Sequence, residues 1–222
     1  MFKYDAQEAV PIVNVTMAEL LSWAPTRGRP GADLRSAVGA LLAKAPALLQ
    51  DDLIAIPLIK CFDLARKTGL TLQQIEHVRR VASDQPAVSV GAIMTRDTLI
   101  ELCLATIGIL LATYKFTSRD DVERMKNAVN EAFESIEEDI ADKLDSMTWR
   151  AIIKVRAAIV MHMYETARPL PRMLNFRFGM PLPTLVQAYK LYQDAGRADE
   201  LRDENKVVHP GFARPYGRAL SA

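Results

Sequence analysis

The chain has 222 residues, half of them hydrophobic and a quarter charged, with a formal net charge of +1. That length suits one large domain or a domain with an appendage, and it can bury a core without metals or disulfides. So even a balance supplies no global field for nucleic acid or an anionic membrane.

The first residues, Met1 to Asp5, lack the basic and apolar regions of a signal peptide, so synthesis in the cytoplasm without export is expected. Residues 1–30 read as an extended N-terminal arm with one short helix, opened by a capping box of Thr16 and Glu19 before Leu20 and Leu21. Pro25 to Gly31 then reads as a linker or surface loop.

A helical bundle is expected over 31–169. Leu34, Val38, Leu41, Leu42 and Leu48 repeat at helical spacing, with a kink at Pro46. A second helix starts near Asp51, carries Leu58, Cys61, Phe62 and Ala65, and ends at a Gly69 cap. Thr71 with Gln74 makes a capping box for a short helix through Ile75 and Val78. Residues 87–116 are apolar nearly all round, the mark of a helix buried on several sides, with Gly91 as a candidate break. Its most apolar stretch, Leu99 to Ala112, contains Glu101 and is too short to span a bilayer. Cys61 and Cys103 have no nearby cysteine or histidine partner and read as small buried hydrophobes.

Ser118 with Asp121 opens the next helix, whose apolar stripe is Val122, Met125, Val129, Phe133, Ile136, Ile140 and Leu144. Its other faces are acidic, including Glu131, Glu134, Glu137, Glu138, Asp139, Asp142 and Asp145. The following helix, with Trp149, Ile152, Ile159 and Met163 on its stripe, is mainly basic through Arg150, Lys154, Arg156 and Arg168. A short connection makes the two antiparallel neighbours, so their charged faces either meet at the seam, stand in solvent, or receive another subunit.

Residues 170–222 form a separate module. Leu174, Phe176 and Phe178 alternate on a strand ended by Pro181 and Pro183. Thr184 starts a helix stopped at Gly196, and a short helix follows from Arg197 to Glu204. A turn at His209-Pro210-Gly211-Phe212 leads to a last strand near Arg218 to Leu220. The fold class expected is therefore mainly α, a helical bundle followed by a small strand–helix–helix–strand module.

No reactive constellation emerges. His77, His162 and His209 fall in different elements and in no ligand spacing, and Walker, GxGxxG and GxSxG patterns are missing. The carboxylate pairs Glu134 with Glu138 and Glu138 with Asp142 lack the ExxH partners of a di-metal bundle. No cofactor, metal or catalytic residue is expected, and the chain reads as non-enzymatic. Arg27-Gly28-Arg29 and the basic helix are weak nucleic-acid signals without a stacking platform, so a dedicated binder is not expected.

Ala188-Tyr189-Lys190-Leu191-Tyr192, Arg197-Ala198-Asp199-Glu200, Asn205 and His209-Pro210-Gly211-Phe212 together resemble the closing segment of the phage family labelled DNA circularisation proteins. Thr95 to Leu99 and Arg168 to Arg172 also look similar to that family, so the likeness spans about residues 90–217. The C-terminal layout is similar to the LysM-like modules of phage tails. Members of the family begin with a β-rich domain that residues 1–30 do not resemble, and its role is not carried over. The resemblance implies a structural protein of the tail baseplate or hub, working by assembly with other tail proteins in several copies on a threefold or sixfold ring. It places the chain in the virion, after assembly in host cytoplasm. Tyr189, Tyr192, Phe212, Tyr216, Arg150, Lys154 and Arg156 are the candidate interface residues. Action on phage genome ends and binding of peptidoglycan are the two alternatives.

Overall fold

The computed structural model describes residues 3–142 and 146–221, the side chains of 3, 4, 135, 136, 138–142 and 146–148 excepted. Among the described residues the chain is mainly helical, with one two-stranded antiparallel sheet near the C-terminus. It divides into two compact units: residues 1–114 with Arg150–Val155, and Lys115–Trp149 with Arg156–Ala222. This division does not fall at 169/170: Arg150–Val155 group with the first unit, and the flanking parts of the seventh helix group with the sixth and the C-terminal module.

The first unit opens with α1 (Lys3–Ser22), which corrects the expectation of an extended arm. Ala6, Ala9, Ile12, Val13, Met17 and Leu20 recur every three or four residues and are fully buried. Pro11 lies inside the helix on its exposed side, where the carbonyl it leaves without a helical donor can reach water. Thr16 is no cap. It sits mid-helix and buried, and its hydroxyl has no hydrogen-bond partner. Glu19 instead receives the indole N–H of Trp23 at 3.0 Å and lies 3.4 Å from His77 Nε2.

α2 (Arg29–Gln50) follows a turn whose Gly28 has φ +93°, and Pro30 occupies its first turn. Gly31 is buried against the Pro25 carbonyl, which leaves no room for a Cβ. The helix continues through Pro46 and buries Leu34, Val38, Leu41, Ala45 and Leu49. α3 (Ala55–Lys67) starts later than expected, since Asp51 and Asp52 form a turn with Asp52 at φ +60°. It ends at Gly69, φ +85°, whose N–H bonds the Arg66 carbonyl. α4 (Leu72–Ser83) carries the expected capping box: Gln74 N–H donates to Thr71 Oγ1 at 3.3 Å, and Thr71 N–H donates to Gln74 Oε1 at 2.9 Å.

α5 (Val90–Thr113) is the centre of this unit, packed by α1, α3 and α4. Gly91 lies buried in its first turn and does not break it. Leu99, Cys103, Leu104 and Leu111 face the core, yet Val90, Met94 and Ile109 are open to solvent. The all-round apolar pattern therefore marks a helix with one uncovered stripe. The carboxylate of Glu8 accepts from the backbone N–H groups of Val88 (2.6 Å) and Ser89 (2.9 Å), holding the start of α5 to α1.

The second unit begins with α6 (Arg119–Asp142), capped as expected by Ser118 Oγ, which accepts from Asp121 N–H. α7 (Ser146–Ala167) runs antiparallel to it, because Lys126 meets Tyr164 while Glu134 and Glu137 meet Arg156. The stripe positions Ile136, Ile140 and Leu144, and the acids Glu138, Asp139, Asp142 and Asp145, lie outside the described side chains. Both carboxylate pairs read from the sequence include Glu138 and so fall there too.

The module is built from β1 (Met173–Arg177), α8 (Thr184–Tyr192), α9 (Ala198–Glu204) and β2 (Tyr216–Leu220). The strands pair antiparallel, Met173 opposite Leu220 through Arg177 opposite Tyr216. The expected strand–helix–helix–strand order is present. α8 stops earlier than Gly196, at Gln193, which takes the left-handed conformation (φ +58°) itself. The start of α6 anchors the module. Arg119 donates from Nε to the Leu170 carbonyl (2.7 Å) and from a terminal guanidinium nitrogen to that of Arg168 (2.8 Å). Asp120 Oδ2 accepts from the N–H of Met173 at 2.6 Å.

Candidate functional site

Inside the module, Gln187 is buried and its side-chain amide donates to the carbonyls of Leu182 (3.2 Å) and Arg214 (2.8 Å). Leu182 also forms an antiparallel bridge with Ala213. The loop before α8 and the turn before β2 are thus held side by side. Thr184, Gln187 and Ala188 point inward, which leaves Leu185 and Tyr189, four residues apart, on the open side of α8. Tyr189 is 62% exposed and Phe212, on the short 3-10 turn at 210–212, is 86% exposed. Tyr216 is exposed at the edge of the sheet opposite Arg177. Leu185, Met180 and Val208 extend this apolar exposure. Sequence reasoning missed those three because nothing in their spacing separates them from the core residues of so small a module.

Tyr192 is a correction among the candidates. The Arg197 guanidinium stacks on its ring, 3.8 Å from the centroid, and is clamped by Glu200 at 2.8 and 3.1 Å. Burial, with the nearby Glu200 charge, raises the phenol's pKa. The ring is an internal support and not a free anchor.

Arg156 is the second correction. Its guanidinium donates to Asn130 Oδ1 at 3.1 Å, to Glu137 Oε2 at 2.9 Å and to Glu134 Oε1 at 2.9 Å, all from α7 to α6. Three of its five N–H donors are thereby held by acceptors of its own chain, one from each guanidinium nitrogen. Arg150 and Lys154 are exposed and make no ion pair with a described residue. Of the charged seam expected from the sequence, the described part is this clamp together with Lys126. The Lys126 ammonium pairs with Glu123 at 2.5 Å and lies 4.8 Å from the centre of the Tyr164 ring.

The first unit has a surface of its own. A groove of about 280 Å³ runs between the starts of α3 and α5, lined by Asp5, Asp52, Ile54, Leu58, Met94 and Thr98 among others. Of its lining, Val90 is 70% and Met94 63% exposed, while Leu53, Ile56 and Ile59 are open to solvent outside the lining. The sequence signal for it was the apolar run from Val88 to Met94 around a helix start.

The histidines do not come together. His77 makes an edge contact with Trp23 at 5.9 Å, His162 is half-buried on α7, and His209 is exposed. Among the described residues no three His, Cys, Asp or Glu side chains gather as a metal site. Nor is any described helix long and apolar enough to cross a membrane. Cys61 and Cys103 are free and buried as expected. No protein-family model matches the chain, and no curated protein matches it either.

Proposed function

We propose that the chain is a structural component of a bacteriophage tail, at the baseplate or hub, and that it acts by docking to other tail proteins rather than by catalysis. The observation that supports this reading best is the open placement of Tyr189 and Phe212 on a module whose loops are fixed from inside by Gln187. Large aromatic side chains held rigidly in solvent are the usual energetic centres of protein interfaces. The resemblance of residues 184–212 to the closing segment of the phage family points the same way, because that segment contains both residues. Arg150 and Lys154 remain candidate contacts; Tyr192 and Arg156 do not.

The test uses the virus that encodes the chain. Mature particles are expected to contain it, and the double variant Tyr189→Ser, Phe212→Ser is expected to yield a folded chain missing from particles. Wild-type particles that lack the chain would overturn the proposal.

Peptidoglycan binding by the same module is a second reading. It is favoured by the strand–helix–helix–strand order, with its two connecting loops brought side by side at Leu182 and Ala213. Co-sedimentation with purified sacculi separates the two, since the assembly reading expects the chain to stay in the supernatant.

A further inference from the structure

The groove of the first unit differs from the surface of an ordinary monomer. Val90 and Met94 at the start of α5 line it and are still largely open to solvent, beside the apolar side chains of Ile54, Ala55 and Leu58. Apolar side chains left open at a groove mark a candidate docking surface. Two features narrow what fits. Residues of α3 and α5 line the groove from two sides, a setting that suits an amphipathic helix laid between them. The groove is also acidic, because Asp5 and Asp52 line it and neither pairs with a described cation.

The chain itself carries a helix with the complementary chemistry. On α7, Arg150 and Lys154 are exposed one turn apart, and Val155 and Met161 (62% exposed) are open further along. Ala151, Ala157 and Ala158 are exposed between them and keep that face narrow. Cations at one end and a slim apolar face at the other match a channel with carboxylates beside apolar banks.

We propose that the groove between α3 and α5 receives α7 of a second copy of this chain, with Arg150 and Lys154 against Asp5 and Asp52 and Met161 in the apolar channel. This goes beyond the proposed function, since it names the occupant of a different surface and holds whether or not the C-terminal module docks in a tail. Two different surfaces meet, so the contact is head-to-tail. It propagates from copy to copy into a closed ring or an open filament.

Sedimentation velocity on the purified full chain, over a range of concentrations, tests it. The wild type is expected to assemble beyond a monomer. Met94→Glu in the groove and Met161→Glu on the helix, each exposed and so expected to fold, should each weaken assembly about tenfold or more. An equimolar mixture of the two should stop at a dimer, because one intact groove and one intact α7 remain. Asp5→Lys and Lys154→Glu should each weaken assembly singly and recover it when combined in one chain. A wild type that stays monomeric at every concentration overturns the proposal, even if a cationic helical peptide binds the groove. Assembly that both methionine variants leave unchanged also overturns it.

Discussion

The side-chain oxygen of Asn205 stands where a Cβ at position 217 would have to be, so Gly217 is required by Asn205 and not by its own backbone angles. From that position Asn205 accepts from the N–H of Arg218 and donates to its carbonyl, both at 2.8 Å, and donates to the Leu201 carbonyl at 2.9 Å. One side chain thereby pairs with β2 as a neighbouring strand would and closes the end of α9. Gly217→Ala should cost about 1–3 kcal/mol through this overlap. Asn205→Ala should cost about as much through unpaired backbone groups. The double variant should lose less than the sum, which urea unfolding of all three proteins measures.

Arg156→Met should destabilise by about 1–2 kcal/mol, most of it from the half-buried Glu137 and Asn130, because Glu134 is largely exposed and screened. Lys154→Met, two residues earlier on the same helix and exposed, should change stability by less than about 0.5 kcal/mol. Equal losses in chemical denaturation would contradict the clamp.

Burial pushes the Cys61 thiol from 9.0 up to about 11, and Cys103, more deeply buried, is raised as well. Neither thiol should react with a disulfide reagent at pH 8 until the chain is unfolded. The folded state favours the neutral thiol, so this stabilisation is complete below pH 9 and is lost as the pH climbs towards about 11. Denaturation midpoints taken across that window check the sign.

The Glu8 carboxyl lies below its usual pKa, held there by the Ser89 hydroxyl and then by the Val88 and Ser89 amides. A lowered carboxyl stabilises the fold above its unfolded value of 4.5, and the gain disappears as the pH falls through the folded value. Glu8→Gln should therefore lower the melting temperature at pH 7 and flatten its decline on acidification. An identical acid profile in the two proteins would refute this role for Glu8.

Local chemistry was the legible part of the sequence. Thr71 with Gln74, Gly69, and Ser118 with Asp121 are each decided within one helical turn, and the strand–helix–helix–strand order follows from prolines and alternation. Long-range pairing was not legible. Whether Arg156 is free or clamped depends on residues 19 to 26 positions away, and nothing in the spacing of Tyr192 and Arg197 tells a stack from two exposed groups. The first helix was missed because Pro11 and the Thr16–Glu19 pair imitate a break and a cap, while the burial of Ala6, Ala9 and Ile12 overrides both. The boundary after residue 114 was hidden because residues 115–118 show no change in composition where the packing partner changes.

Gln187 works like a rivet driven from the inside. Since one amide grips the carbonyls of both Leu182 and Arg214, Phe212 and the leading edge of α8 cannot be adjusted separately. Whatever settles on them meets a surface already set in shape and spends little ordering entropy on it.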